Sequence, residues 1–180
     1  SRCTGSRPIL DAARQMAQLP PVRVDEEQVL AQLAALQAQP ATGGGYCMPR
    51  TLPELLQLRA AHPEAQVVAG CTDVGLWVTK MHQQFRQVLD VTRVAELREV
   101  KREDGLLTIG AAVTHTDAFA ALVAEWPQLK TFANRFAGLP VRNSGTLGGN
   151  IANGSPIRDS MPLLIALGAR LVVASERGER

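Results

Sequence analysis

Residues 142–157 are the part of the sequence best suited to hold a ligand through its backbone. The stretch reads Arg-Asn-Ser-Gly-Thr-Leu-Gly-Gly-Asn-Ile-Ala-Asn-Gly-Ser-Pro-Ile, with four glycines and three asparagines among sixteen residues. Glycine lets a ligand approach the main chain closely, while backbone N–H groups and short polar side chains supply uncharged donors. We therefore expect a loop that binds an anionic group, and a phosphate or pyrophosphate is the natural candidate.

Another glycine-containing segment, Gly70–Gly75, joins the apolar run 66–69 to a predicted helix. It lacks the Gly-Lys-Ser/Thr that completes a P-loop, so no lysine is placed to reach a β- or γ-phosphate. Glycines are common at strand-to-helix corners, so the turn alone is compatible with a purely structural role. In a binding role, its amides at a helix start would cradle a phosphate. Together the two segments predict one pyrophosphate site.

No other residue pattern supports catalysis or metal binding. The three histidines, His62, His82 and His115, are not spaced as metal ligands. A Gly-x-Ser-x-Gly motif is absent, and no cysteine has a base partner nearby in the sequence. We expect no catalytic acid, base or nucleophile in this chain.

Composition narrows the class of protein. The chain has 180 residues, a net charge of +2 with no basic run, and 46% hydrophobic residues, so nucleic acid is not an expected partner. No stretch approaches the ~18 apolar residues of a membrane span, and the start does not resemble a signal peptide. The odd number of cysteines, three, does not suggest a disulfide framework. We expect a cytoplasmic, mixed α and β protein that does not bind membranes.

The elements that must position the two segments follow from periodicity and capping signals. Asp25 with Gln28, and Thr51 with Glu54, are helix-start patterns, and Asp104-Gly105 predicts a hairpin turn. The expected helices are 8–19, one from residue 25, 51–61, 76–81, 116–125, 127–136 and 160–167, and the expected strands are 66–69, 87–91, 97–102, 106–112 and 170–174. Pro40–Gly45 reads as a flexible joint.

The segments 67–80 and 142–157, taken in order and at their separation, resemble the FAD-binding domain of the xanthine dehydrogenase family. The resemblance covers about residues 46–180. It implies an α+β, two-lobed FAD-binding domain of the vanillyl-alcohol oxidase/CO dehydrogenase flavoprotein type, whose lobes clasp the cofactor pyrophosphate between two glycine-containing loops.

The amino terminus, Ser1–Leu10, resembles the segment that closes the second [2Fe–2S] site of the same family. Cys3 matches the last cluster ligand, but Ser1 stands where the family has a cysteine, so we expect an incomplete site. The resemblance implies that residues 1–19 are a remnant helix of an all-α [2Fe–2S] domain and that 20–45 are a linker. Residues 46–180 would then be the FAD-binding domain without its carboxy-terminal portion.

The resemblance also implies a set of FAD-binding residues. They are Val67, Val68, Ala69, Gly70, Cys71, Thr72, Asp73, Val74, Phe136, Thr146, Gly149, Asn150 and Asp159. Asp73 and Asp159 are poor phosphate partners, so we expect them to accept from hydroxyl or ring N–H groups or to cap the following helix. Cys71 departs from the glycine usual in the bacterial family, and Arg158 departs from a small residue.

The implied parent is a molybdenum hydroxylase of the xanthine dehydrogenase type. Its flavoprotein passes electrons from iron–sulfur clusters through FAD to NAD during hypoxanthine or xanthine oxidation, and a molybdopterin-containing large subunit forms a hetero-oligomer with it. Three alternatives stay open: a parent that oxidises aldehydes or carbon monoxide, a non-catalytic relic or interaction domain, and oxygen in place of NAD.

Overall fold

The computed structural model describes residues 5–37, 44–154 and 160–180. Its residues divide into two compact units, Ser1–Pro40 and Ala41–Arg180. Cys3 and Asp159, two of the predicted ligand-binding residues, lie outside the described residues. The proposed division into residues 1–19, 20–45 and 46–180 stays a prediction.

The first unit contains two helices, α1 (Ser6–Met16) and α2 (Glu26–Gln37). The predicted cap of α2 is confirmed, because Asp25 Oδ1 accepts a 3.0 Å hydrogen bond from the Gln28 amide. The apolar side chains of both helices are largely exposed, for example Leu10 and Leu30.

The second unit begins with a parallel sheet. Its strands are β1 (Tyr46–Cys47), β2 (Gln66–Val68) and β3 (Val88–Asp90), in the spatial order β1-β3-β2. Helix α3 (Leu52–Ala61) links β1 to β2, and α4 (Val74–Thr79) links β2 to β3. Thr51 Oγ1 caps α3 by accepting from the Glu54 amide at 3.4 Å, as the sequence predicts. A core packs on this sheet and contains Leu55, Ala65, Leu89, Val91, Val94 and Ala112.

An antiparallel hairpin follows, formed by β4 (Val100–Glu103) and β5 (Leu106–Ile109). Its turn is the predicted Asp104-Gly105, and both residues have positive φ, 51° and 75°, as a type I′ turn requires. The predicted strand 97–102 begins later than expected, because Glu96–Arg98 forms a 3-10 turn.

The remainder is mainly helical. The helices are α5 (His115–Glu125), α6 (Lys130–Arg135), α7 (Leu139–Ser144), α8 (Leu147–Asn153) and α9 (Ser160–Ala166), and a short hairpin of β6 (Ala174–Ser175) and β7 (Gly178–Glu179) ends the chain. The predicted helix 127–136 is interrupted, since Pro127–Leu129 is a 3-10 turn. The predicted strand 170–174 is reduced to its last residue, because β6 begins at Ala174.

The prediction of a loop over 142–157 is wrong where the structure describes this stretch, since much of it lies in α7 and α8. Thr146 Oγ1 caps α8 by accepting from the Gly149 amide at 3.1 Å. Gly154 ends α8 in the left-handed conformation, with φ of 60°. Leu147 is buried and Ile151 packs beside it, one helical turn apart. Cap, core contacts and terminal glycine together outweigh the low helix propensity of Gly148 and Gly149.

None of the helices in the described part of the chain is long and apolar enough to span a bilayer. The described residues also include no group of three or more His, Cys, Asp or Glu side chains placed to hold a metal ion.

The hydrogen bond between Tyr46 and Asp90 allows the sheet region to be tested by pH titration. Its hydroxyl donates to Asp90 Oδ2, and Asp90 Oδ1 accepts from the Thr92 amide at 2.8 Å. Burial, followed by the hydrogen bond to Asp90 and the charge on Asp90, raises the pKa of Tyr46 from 10.0 to about 12. Because the pKa is raised on folding, the stabilisation is complete below about pH 10 and is lost as the pH rises towards 12.

Tyr46 is the single tyrosine of the chain, so tyrosinate absorbance during alkaline titration reports this residue alone. We expect a midpoint near pH 12 while circular dichroism shows that the fold persists, and a lower midpoint in Asp90→Asn. A midpoint near pH 10 in the folded wild type would contradict the contact.

Candidate functional site

A cleft of about 920 Å³ lies in the second unit, at the carboxyl end of β2. Its volume is within the range of roughly 300–1,000 Å³ typical of cofactor sites. Most of the predicted cofactor residues line it: Val67, Ala69, Gly70, Cys71, Thr72, Asp73, Val74, Phe136, Thr146, Gly149 and Asn150. Val68 is buried within β2 and does not line the cleft. The structure therefore brings the two predicted segments to one site.

The turn from Gly70 to Asp73, called the first segment below, presents open backbone donors. Within the described residues, no hydrogen-bond acceptor meets the N–H groups of Gly70, Cys71 and Thr72. All three residues line the cleft immediately before α4. Consecutive main-chain N–H groups at such a turn form an anion-binding concavity, so the first segment is suited to a phosphate group.

Residues 144–153, called the second segment, use their backbone differently. The amides of Leu147 and Gly148 donate to Val113 O and Ala111 O, both at 3.0 Å. Those of Gly149 and Asn150 donate within the helix start, to Thr146 Oγ1 at 3.1 Å and Thr146 O at 2.9 Å. The prediction that both segments offer open N–H groups is thus wrong for residues 147–150. Local capping and pairing with the chain before α5 already satisfy these donors.

Direct contacts join the two segments. Ser144 Oγ donates to Gly70 O at 2.7 Å, and Asn153 Nδ2 donates to Asp73 Oδ2. A Cβ atom at position 70 would lie 2.7 Å from Gly145 Cα and closer still to Ser144 O. Only glycine permits this approach of backbone to backbone.

The contact between Asp73 and Asn153 corrects one expectation for Asp73. Its carboxylate does not cap α4, because no side-chain hydrogen bond caps that helix. Asp73 accepts from a side-chain amide of the second segment instead. A predicted local interaction is thereby replaced by a long-range one.

Gly148 fulfils a packing role. A Cβ atom there would lie 2.6 Å from Ala111 Cα, so the start of α8 rests directly on the chain that leads from β5 to α5. Pairing of Thr114 with Thr146, through bonds from His115 N to Gly145 O and from Leu147 N to Val113 O, fixes the same junction. This glycine therefore serves helix placement rather than ligand approach.

Aromatic rings form another wall of the cleft. Phe136 and His115 both line it, and their ring centroids are 4.8 Å apart. Phe119 packs on both rings from the core, at 5.6 Å from His115 and 4.9 Å from Phe136. Sequence reasoning set His115 aside because the histidines are not spaced as metal ligands, and nothing in the sequence connects the start of α5 with residue 136. Trp77, Ala111 and Asn153 line the cleft too and were not on the predicted list.

The described side chains that line the cleft favour binding of a ligand through uncharged groups. No lysine or arginine is among the described residues that line it, and Asp73 is the carboxylate that does. Burial, and next the charge on Asp90, raises the pKa of the Cys71 thiol, which keeps it protonated near neutral pH. An anion in the cleft would therefore be held by backbone amides rather than by ion pairs.

The chain is similar to known proteins over most of its length. Residues 36–180 match the family model described as FAD binding domain in molybdopterin dehydrogenase. Xanthine dehydrogenase of Drosophila subobscura is 44% identical over 138 residues, which are 71% of this chain and 10% of that protein. The xanthine dehydrogenase FAD-binding subunit of Escherichia coli O157:H7 is 36% identical over 138 residues, covering 75% of this chain and 47% of that subunit.

Solved structures agree with the sequence relatives. Quinoline 2-oxidoreductase from Pseudomonas putida 86 superposes with a TM-score of 0.70 at 29% identity, over 79% of this chain and 50% of that chain. Carbon monoxide dehydrogenase from Hydrogenophaga pseudoflava gives a TM-score of 0.70 at 28% identity, with the same coverage. The chain thus spans about a tenth of the long xanthine dehydrogenases and about half of the separate subunits.

These likenesses confirm the predicted α+β fold class and FAD as the cofactor of the family. The individual FAD contacts stay predictions. With a family model matching residues 36–180, the chain belongs to the family of FAD-binding domains of molybdopterin dehydrogenases.

Proposed function

We propose that this chain holds FAD in the cleft, with the cofactor diphosphate on the amides of Gly70, Cys71 and Thr72. The observation that carries the proposal is the set of open donors in the first segment, at the edge of a cleft of about 920 Å³. Uncharged donors suit a diphosphate whose charge is partly exposed to water, because no buried cation is needed. The donor set and the cleft therefore fit this cofactor.

The second segment would hold the first segment in place and complete the cleft. Ser144 and Asn153 hold the first segment through Gly70 O and Asp73 Oδ2. Thr146, Gly149 and Asn150, which line the cleft, would contact the cofactor, and Asp159 would add a further contact. Phe136 and His115 would exclude water from one side of the cleft.

When bound, FAD would supply redox chemistry, and we propose that this chain holds it between the iron–sulfur clusters of the parent enzyme, as electron donors, and NAD, as electron acceptor. The protein contributes binding and orientation. No residue of this chain is assigned as a catalytic acid or base.

The proposed parent is a xanthine dehydrogenase that oxidises hypoxanthine and xanthine at a molybdopterin-containing large subunit. Relatives named xanthine dehydrogenase, at 36–44% identity, support this choice. A parent that oxidises another substrate is the second candidate, because structures of quinoline and carbon monoxide oxidising enzymes also match, at 29% and 28% identity. Activity of the whole complex on xanthine, quinoline and carbon monoxide separates the two.

We further propose a cytoplasmic location, with residues 1–19 derived from a [2Fe–2S] domain in which Cys3 is a ligand and residues 20–45 serving as the linker. Free thiols at Cys47 and Cys71 support a reducing compartment. A hetero-oligomer is proposed because the E. coli relative is named a subunit.

The cofactor assignment is tested by titrating FAD into the 180-residue chain. We expect saturable quenching of flavin fluorescence. If the chain gives a folded circular dichroism spectrum but leaves FAD fluorescence unchanged, the cofactor assignment is refuted. That result would favour a non-catalytic interaction domain.

Gly70→Ala should weaken FAD binding. The new Cβ would meet the backbone of Ser144 and Gly145, and overpacking of this kind costs typically ~1–3 kcal/mol. We expect at least a tenfold rise in the dissociation constant for FAD, measured by fluorescence titration. Gly75→Ala is the matched control, because nothing lies within 4 Å of a Cβ there, so its affinity should equal that of wild type. Equal affinities in all three proteins would refute the close contact.

Cys71→Gly should stabilise the protein. Cys71 has φ of 54°, a left-handed conformation that costs a non-glycine residue roughly 1–2 kcal/mol. Greater freedom of glycine in the unfolded chain offsets part of this gain, so we expect the free energy of unfolding to rise by about 0.5–1 kcal/mol in urea under reducing conditions. Cys71→Ala keeps the strain and should show no such gain; the same gain in both variants would mean that the thiol, not the backbone, is responsible.

A further inference from the structure

Arg142 makes an unusual set of contacts near the cleft. It lies in the last turn of α7 and is half-buried. Its Nη1 atom donates to the carbonyl oxygens of Phe136 at 2.8 Å, Asn134 and Ala137 at 3.2 Å, and Ala133 at 3.4 Å. One guanidinium nitrogen thus donates to four carbonyl oxygens at and just after the end of α6.

These carbonyls need such a donor. The last turn of a helix leaves its C=O groups without intrahelical partners, and Ala133 and Asn134 belong to the last turn of α6. The chain then turns at Ala137 with φ of 45°, a conformation usually reserved for glycine. A positive charge at a helix carboxyl terminus, shared among the carbonyl oxygens of Ala137 and of residues before it, stabilises the turn.

Two of the four residues that Arg142 contacts line the cleft, whereas Arg142 itself does not. Phe136 and Ala137 are among the lining residues. The Phe136 ring packs against His115 and Phe119, at 4.8 Å and 4.9 Å. The Phe136–Ala137 turn is therefore the part of the cleft that Arg142 contacts through hydrogen bonds.

We propose that Arg142 is a positioning residue, which fixes the Phe136–Ala137 turn and thereby the aromatic wall of the cleft. The wall itself is observed in the structure, while its effect on FAD rests on the proposed function. Loss of the guanidinium frees the end of α6, so Phe136 samples more than one position. A bound flavin then meets a less ordered wall.

The first test needs no cofactor. Amide hydrogen exchange, resolved by NMR, is measured for Phe136, whose N–H donates to Phe132 O at 3.0 Å. In Arg142→Gln we expect exchange about tenfold faster or more at this amide, with core amides such as Leu89 unchanged. Arg135→Gln removes an exposed arginine from the same turn of α6 and should leave the rate unchanged. Equal rates in wild type and Arg142→Gln would overturn the proposal.

The second test uses FAD. Arg142→Gln should raise the dissociation constant several-fold and change the visible circular dichroism of the bound flavin, and Arg142→Lys should restore part of both. In a Phe136→Leu background, Arg142→Gln should add little further change, because the residue acts through that ring. Full additivity of the two substitutions, or an unaltered flavin spectrum in Arg142→Gln, would refute the positioning role. If wild type fails to bind FAD, the proposed function falls, and the exchange experiment still decides the role of Arg142.

Discussion

The close approach of Gly70 to Ser144 and Gly145 is the constraint on which the site depends. Two backbones that are far apart in the sequence meet without a side chain between them, and the Ser144 hydroxyl bonds directly to Gly70 O. Any larger residue at position 70 would separate them. The absence of a Cβ at position 70 therefore allows strand β2 to meet the junction of α7 and α8 at one cleft.

The two segments that meet at this contact have different roles: one supports the site, and the other offers hydrogen-bond donors to a ligand. The amides of residues 147–150 already have acceptors, either in Thr146 or in the chain before α5, which makes the second segment a rigid support. The first segment leaves the N–H groups of Gly70, Cys71 and Thr72 without acceptors among the described residues, which makes it the natural anion site. Because no lysine or arginine lines the described cleft, binding through it should depend weakly on salt.

Local signals in the sequence were sufficient for much of the fold. The caps at Asp25 and Thr51, and the Asp104-Gly105 turn, act within a few residues and were predicted correctly. The glycine pattern also pointed to the two segments that line the cleft, but it suggested a loop where Thr146 and buried Leu147 build a helix. Glycine content alone does not distinguish an open loop from a helix that must pack closely.

Tertiary contacts explain what sequence reasoning missed. His115 belongs to the site because a backbone pairing places it beside Gly145. Asp73 does not cap its own helix, because its carboxylate accepts a hydrogen bond from Asn153 of α8. Arg142 is an ordinary charged residue in the sequence, and its four carbonyl partners exist only after α6 has ended near it. Such roles depend on distances that no local pattern encodes.

In the proposed site, the diphosphate of FAD rests on the first segment, and the second segment supports the first. Heteronuclear NMR of the isotope-labelled chain tests this directly, by comparing amide shifts on addition of FAD and of riboflavin, which has no diphosphate. We expect large FAD-specific shifts at Gly70, Cys71 and Thr72, with smaller ones at Gly148 and Gly149. FAD-specific shifts concentrated at Gly148 and Gly149, with Gly70–Thr72 unchanged, would contradict it.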